Sequence, residues 1–126
     1  MKDKALANIK AAGLLADNAF YDSVASRAYY ALYLMGWYMI GRYGDKPPDR
    51  AKDGGYYWKH DTFHDMLYNY KLLEGDIEKE QWEWLRCLRI KADYETDVIE
   101  KDEALQAISL ANGLIAHFLD EEKGAQ

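Results

Sequence analysis

The stretch Ala28-Tyr-Tyr-Ala-Leu-Tyr-Leu-Met-Gly-Trp-Tyr-Met-Ile40 carries no charged side chain and shows no alternation of polar and apolar residues. A helix that is apolar almost all the way round must be covered on several sides. This segment is therefore expected at the centre of a helical bundle, with part of its surface closed by a second copy of the chain. It is too short and too rich in tyrosine to cross a bilayer, and Met1 to Gly13 lacks the apolar stretch of a signal peptide. A cytoplasmic protein without a membrane role is the expectation.

The rest of the chain supplies the covering helices. Ala5, Ile9, Ala12 and Leu15 recur at helical spacing, which predicts a first helix from about Lys2 to Ala16. Asp17-Asn18 breaks it, since both side chains bond readily to nearby backbone amides. The second helix should span about Phe20 to Tyr43. Gly44 to Gly55, with Pro47-Pro48 and Gly54-Gly55, reads as one long loop. A third helix is expected from about Trp58 to Leu73, ending at Glu74-Gly75, and a fourth from about Ile77 to Tyr94, broken at Thr96-Asp97. The fifth runs from about Lys101 to Leu119 and repeats Ala104, Leu105, Ile108, Leu114, Ile115 and Phe118. No hairpin signal competes. The reading is an all-α, five-helix up-and-down bundle: a four-helix core with an extra helix, one domain over residues 1–119 and a polar tail over 120–126.

Composition narrows the function. The 126 residues are 49% hydrophobic and suit a single core. A formal net charge of -6 argues against a broad electrostatic grip on nucleic acid and leaves room for a local basic patch. Eleven Tyr and four Trp are unusual, because such rings favour interfaces and pocket walls. The single Cys87 has no partner for a disulfide or a thiolate metal site, and its place between Leu85 and Leu88 suggests buried packing.

Two constellations could carry chemistry. Arg27 and Tyr30 lie three apart on the second helix and Arg86, Arg89 and Asp93 step by three and four along the fourth. A guanidinium fork matches two phosphate oxygens, so the two stripes could wall a phosphate-binding groove. They also fit a snorkelling arginine and an ordinary Arg89–Asp93 pair on a helix surface, which composition alone favours.

The residues Tyr21-Asp-Ser-Val-Ala-Ser-Arg27-Ala-Tyr-Tyr-Ala31, followed by a loop, a His-containing helix, Leu85-Arg86-Cys-Leu-Arg89-Ile-Lys-Ala-Asp93-Tyr94-Glu95 and a final helix, resemble small stand-alone prokaryotic HEPN proteins over nearly the whole chain. The resemblance implies a homodimer associated with RNA or a nucleotide, in a toxin-antitoxin or defence setting, with a small nucleotidyltransferase as a possible partner. Many catalytic members cleave RNA without metal, using an Arg followed four to six residues later by His, which serves in acid-base catalysis. Here neither Arg86 nor Arg89 reaches a His, and Tyr94 stands at one such spacing from Arg89. The resemblance therefore implies a site of Arg86, Arg89, Asp93 and Tyr94, with Arg27, Tyr30, His60 and His64 lining the groove. It also makes Tyr94 the candidate for adenylylation by such a partner. Three functions stay open: a binding module lacking the full Arg/His motif, an active endoribonuclease toxin with a modified site, and a purely structural bundle.

Other signatures are weaker. His60-Asp-Thr-Phe-His64 differs from the zinc motif HExxH by Asp61, whose shorter side chain holds a metal-bound water less well, and a third ligand is missing at the usual spacing. His117 lies on an apolar stripe and is expected to pack there with a hydrogen bond. No metal and no cofactor are expected.

Overall fold

The computed structural model describes residues 1–95 and 97–124. Five helices follow one another: α1 (Lys2–Asp17), α2 (Tyr21–Gly41), α3 (Phe63–Asn69), α4 (Asp76–Tyr94) and α5 (Lys101–Gly124). Helix α2 packs against α1, α4 and α5, and every residue from Ala31 to Gly36 is buried. The all-α bundle thus forms around the uncharged stretch. Trp82 of α4 and Phe63 and Leu67 of α3 close over α2 at Gly36, where a side-chain Cβ would lie 3.0 Å from Phe63, 3.2 Å from Leu67 and 3.3 Å from Trp82.

Helices α1 and α2 are joined by a tight turn. The amides of Ala19 and Phe20 donate to the carbonyls of Ala16 and Leu15, and Ala19 takes a left-handed φ of 63°. That conformation suits glycine and strains alanine.

The loop after α2 is more ordered than its composition predicts. Asp49–Arg50 (β1) and Tyr56–Tyr57 (β2) pair antiparallel as a two-residue ladder, closed by a turn in which Gly54 has a φ of 93°. Behind it, the buried Tyr33 hydroxyl donates to the Trp58 carbonyl at 2.6 Å and accepts from the Trp58 amide at 3.1 Å. Trp58 spends both backbone groups on a side chain, so α3 begins at Phe63 and not at Trp58. Its other end stops early as well. Lys71 takes a φ of 62°, and the Leu72 amide donates to the Leu67 carbonyl at 2.9 Å, which turns Leu72 and Leu73 inward to 1% exposure.

Helix α5 continues past Leu119 to Gly124. The reason is Glu122, 8% exposed, which meets the Lys2 ammonium at 2.7 Å and ties the two ends of the chain together. Among the described residues, no helix is long and apolar enough to cross a membrane.

Candidate functional site

Helices α2 and α4 bury their small and aliphatic faces, Ala25, Ala28, Leu85 and Leu88, and leave polar residues on their outer edges. Ser26, Arg27 and Tyr30 from α2 and Arg89 and Asp93 from α4 line an open groove of about 270 Å³. It continues along Asp22, Ser23 and Ala92. Asp22, Ser26, Arg27, Arg89 and Asp93 are each held by a partner. The Ser26 hydroxyl donates to one Asp93 oxygen, and Arg89 Nε lies 3.0 Å from the other. The Arg89 guanidinium stands 5.3 Å from the centre of the Tyr94 ring, and Tyr94 is 72% exposed at the end of α4. Thr96, just beyond, lies outside the described residues.

Arg27 donates to Asn8 Oδ1 at 3.0 Å. Asn8 is buried on α1 and anchored in turn by its amide, which donates to the Lys4 carbonyl at 2.8 Å. The Lys4 ammonium approaches the Tyr30 ring at 5.9 Å. Asp22 accepts from the Ile99 amide at 3.0 Å and so fastens the α4–α5 connection to the same end of α2.

Arg86 does not join this groove. Its Nε donates to both Glu83 oxygens, at 3.0 and 3.1 Å, and its Nη2 also reaches Glu83. The bond to Arg86 holds the Glu83 carboxyl below the usual carboxylate range. His64 lies on that side of α4, with Nδ1 3.6 Å from Glu83 and Nε2 3.7 Å from Asp65. Lys79 in turn pairs with Asp65 at 2.8 Å. The position of Glu83 one turn before Arg86 explains the split.

His60 is placed differently again, in the turn before α3. Its Nδ1 is 2.9 Å from the Tyr29 hydroxyl, and its ring packs on Tyr33 with centroids 4.2 Å apart. Burial pushes the Tyr29 phenol well above its ordinary range, so it keeps its proton. With no other acceptor for it among the described residues, Tyr29 donates to Nδ1, and the neutral ring carries its proton on Nε2. Burial lowers the His60 pKa, and the charges of Arg89 and Arg86 lower it further. His60 is thus poised as a neutral hydrogen-bond donor and not as a base.

The predicted residues therefore fall into three sets: Arg27, Tyr30, Arg89 and Asp93 in one groove with Tyr94 at its edge, Arg86 with His64 on the far side of α4, and His60 behind them. Asn8 also belongs with them and was not foreseen; Ser26 and Tyr29 lie in the stretch that resembles the family motif, but the partners they take were not foreseen. Asn8 was findable, because it interrupts the small-residue face formed by Ala5 and Ala12. The partner of Tyr29 was not, since Tyr29 is one of several tyrosines in a helix covered on most sides. Two expectations fail. Cys87 is exposed, its thiol facing Glu83 at 4.0 Å, because Leu85 and Leu88 turn inward on either side of it. His117 lacks a hydrogen bond at Nε2, because its neighbours there are two carboxylates too distant to accept one.

Chemically, the groove offers guanidinium donors from α2 and α4 and a phenol hydroxyl, an arrangement suited to an anion with several oxygens. Asp93 is already engaged by the Ser26 hydroxyl and the Arg89 guanidinium. The sequence pattern that defines the HEPN domain matches residues 1–121. The chain belongs to the HEPN family. A comparison with curated proteins gives no match. The HEPN match covers α1 to α4 and α5 as far as residue 121, so the α2–α4 groove is part of the HEPN domain itself.

Proposed function

We propose that this HEPN protein is a non-catalytic module that binds RNA or a nucleotide through phosphate in the α2–α4 groove. The observation that carries the reading is that Arg27 and Tyr30 on α2 and Arg89 on the neighbouring α4 line a single open groove. Arg89 is preoriented by Asp93, and the Tyr94 ring beside it offers a stacking surface for a base. The groove holds no imidazole, and His60 is tied through the nitrogen that a base would need free. The setting is that of toxin-antitoxin or defence systems, with a homodimer in the cytoplasm and a small nucleotidyltransferase as partner. Tyr94 then receives AMP: its phenol oxygen attacks the α-phosphate of ATP, pyrophosphate leaves, and the phenol proton passes to solvent.

One observation favours the competing reading, a metal-independent endoribonuclease. The charges of Arg86 and Arg89 both act on His60, so an imidazole and two guanidiniums share one electrostatic neighbourhood. Labelled RNA incubated with the wild type and with Arg89→Ala separates the two. Binding lost in the variant, with the RNA intact in both samples, supports the module. Cleavage by the wild type that Arg89→Ala abolishes would establish the nuclease instead.

A further inference from the structure

At the opposite end of the molecule from Tyr94, His117 and Glu121 stand one turn apart on α5 and face Glu74 in the connection between α3 and α4. The His117 Nε2 is 3.7 Å from a Glu74 oxygen and 3.9 Å from a Glu121 oxygen. All three donor atoms lie within 4.8 Å of one another. We propose that Glu74, His117 and Glu121 form a binding site for a divalent transition-metal ion, zinc being the natural occupant.

The donor set fits. One imidazole and two carboxylates suit zinc and its neighbours in the first transition row, and a dication balances the two negative charges. Ligand bonds of about 2.0–2.2 Å in a tetrahedral site put donor atoms roughly 3.4 Å apart. The separations from His117 exceed that by a few tenths of an ångström, which side-chain rotation closes.

Two further features point to a cation. The His117 Nε2 is sealed from solvent, yet no hydrogen bond satisfies it among the described residues. A buried ring nitrogen without a partner is costly unless something else occupies its lone pair. The carboxylates also differ from the others near a histidine. Asp65 and Glu83 beside His64 are held by Lys79 and Arg86, whereas no Lys or Arg forms an ion pair with Glu74 or Glu121 among the described residues.

The scaffold holds the ligands in place. Phe118, next to His117, and Leu73, next to Glu74, are both buried in the core. The Glu74 amide donates to Glu78 at 2.7 Å, which fixes the start of α4. A bound ion would therefore clamp α5 to the α3–α4 turn, in a role that is structural and separate from the groove.

The test is titration of the full chain, first stripped with chelator, with zinc chloride by calorimetry and with cobalt chloride by visible absorption. One equivalent should bind in the micromolar range, with a rise in melting temperature. His117→Gln and Glu121→Gln, both at exposed or half-exposed positions, should each weaken binding at least tenfold and cancel the thermal shift, while His60→Gln should not. Two outcomes would overturn the proposal: the absence of saturable binding below millimolar metal, or binding that survives in both variants.

Discussion

Asp93 holds Arg89 and Ser26 in place and also puts a negative charge where a phosphate should bind. Asp93→Asn removes that charge and keeps an oxygen able to accept from Ser26. A phosphodiester engaged by Arg89 would lie about 4–5 Å from the carboxylate, where two unit charges repel by about 1 kcal/mol in a water-like medium. Relief of that repulsion should tighten binding about fivefold. The loss in stability should be smaller. Arg89–Asp93 is a partly exposed pair one turn apart, worth a few tenths of a kcal/mol, so the melting temperature should fall by no more than a few degrees. Fluorescence anisotropy with a labelled oligoribonucleotide, and calorimetry with AMP, measure the affinity at low and moderate salt. Asp93→Asn that binds no better than wild type while remaining folded would refute the placement of phosphate beside Arg89.

Other changes should have equally specific effects. Gly36→Ala sets a Cβ against three aromatic and aliphatic side chains at once; overpacking of about 1–3 kcal/mol should outweigh the roughly 1 kcal/mol gain in helix propensity, and chemical denaturation would show a net loss. Ala19→Gly should raise stability by about 1 kcal/mol, because glycine accepts the φ of 63° without strain; a lower denaturation midpoint would contradict it. Since His60 titrates below its ordinary value of 6.5, the unfolded chain takes up that proton first, and stability should decline as pH falls from about 6.5 towards the folded value. His60→Gln should flatten that part of the curve. Nitrogen-15 NMR of wild type at neutral pH should show His60 protonated on Nε2, and Tyr29→Phe should release that preference.

The architecture was legible because one segment, Ala28 to Ile40, cannot be stable unless surrounded, and the periodic helices around it supply the cover. The limits of α3 were not. They are set by Tyr33 capturing the backbone of Trp58 and by the left-handed Lys71 that turns Leu72 and Leu73 inward, contacts between residues distant in sequence or specific to one backbone conformation. The groove was half legible. Helical spacing places Arg27 with Tyr30, and Arg89 with Asp93, but spacing alone also put Arg86 beside them. A carboxylate one turn back, Glu83, draws Arg86 to the other side. The bond between His60 and Tyr29 joins a turn to a helix 31 residues earlier, and no local pattern announces it. His117 shows the same limit, since Glu74 meets it only through the fold.

The central claim is that the α2–α4 groove binds phosphate without cutting RNA, and one gel-shift experiment with end-labelled RNA tests both halves. The wild type should retard the RNA and leave it full length, and Arg89→Ala should abolish the shift while keeping the helical circular dichroism of the wild type. Shortened RNA in the wild-type lane, or an undiminished shift with Arg89→Ala, would contradict the account.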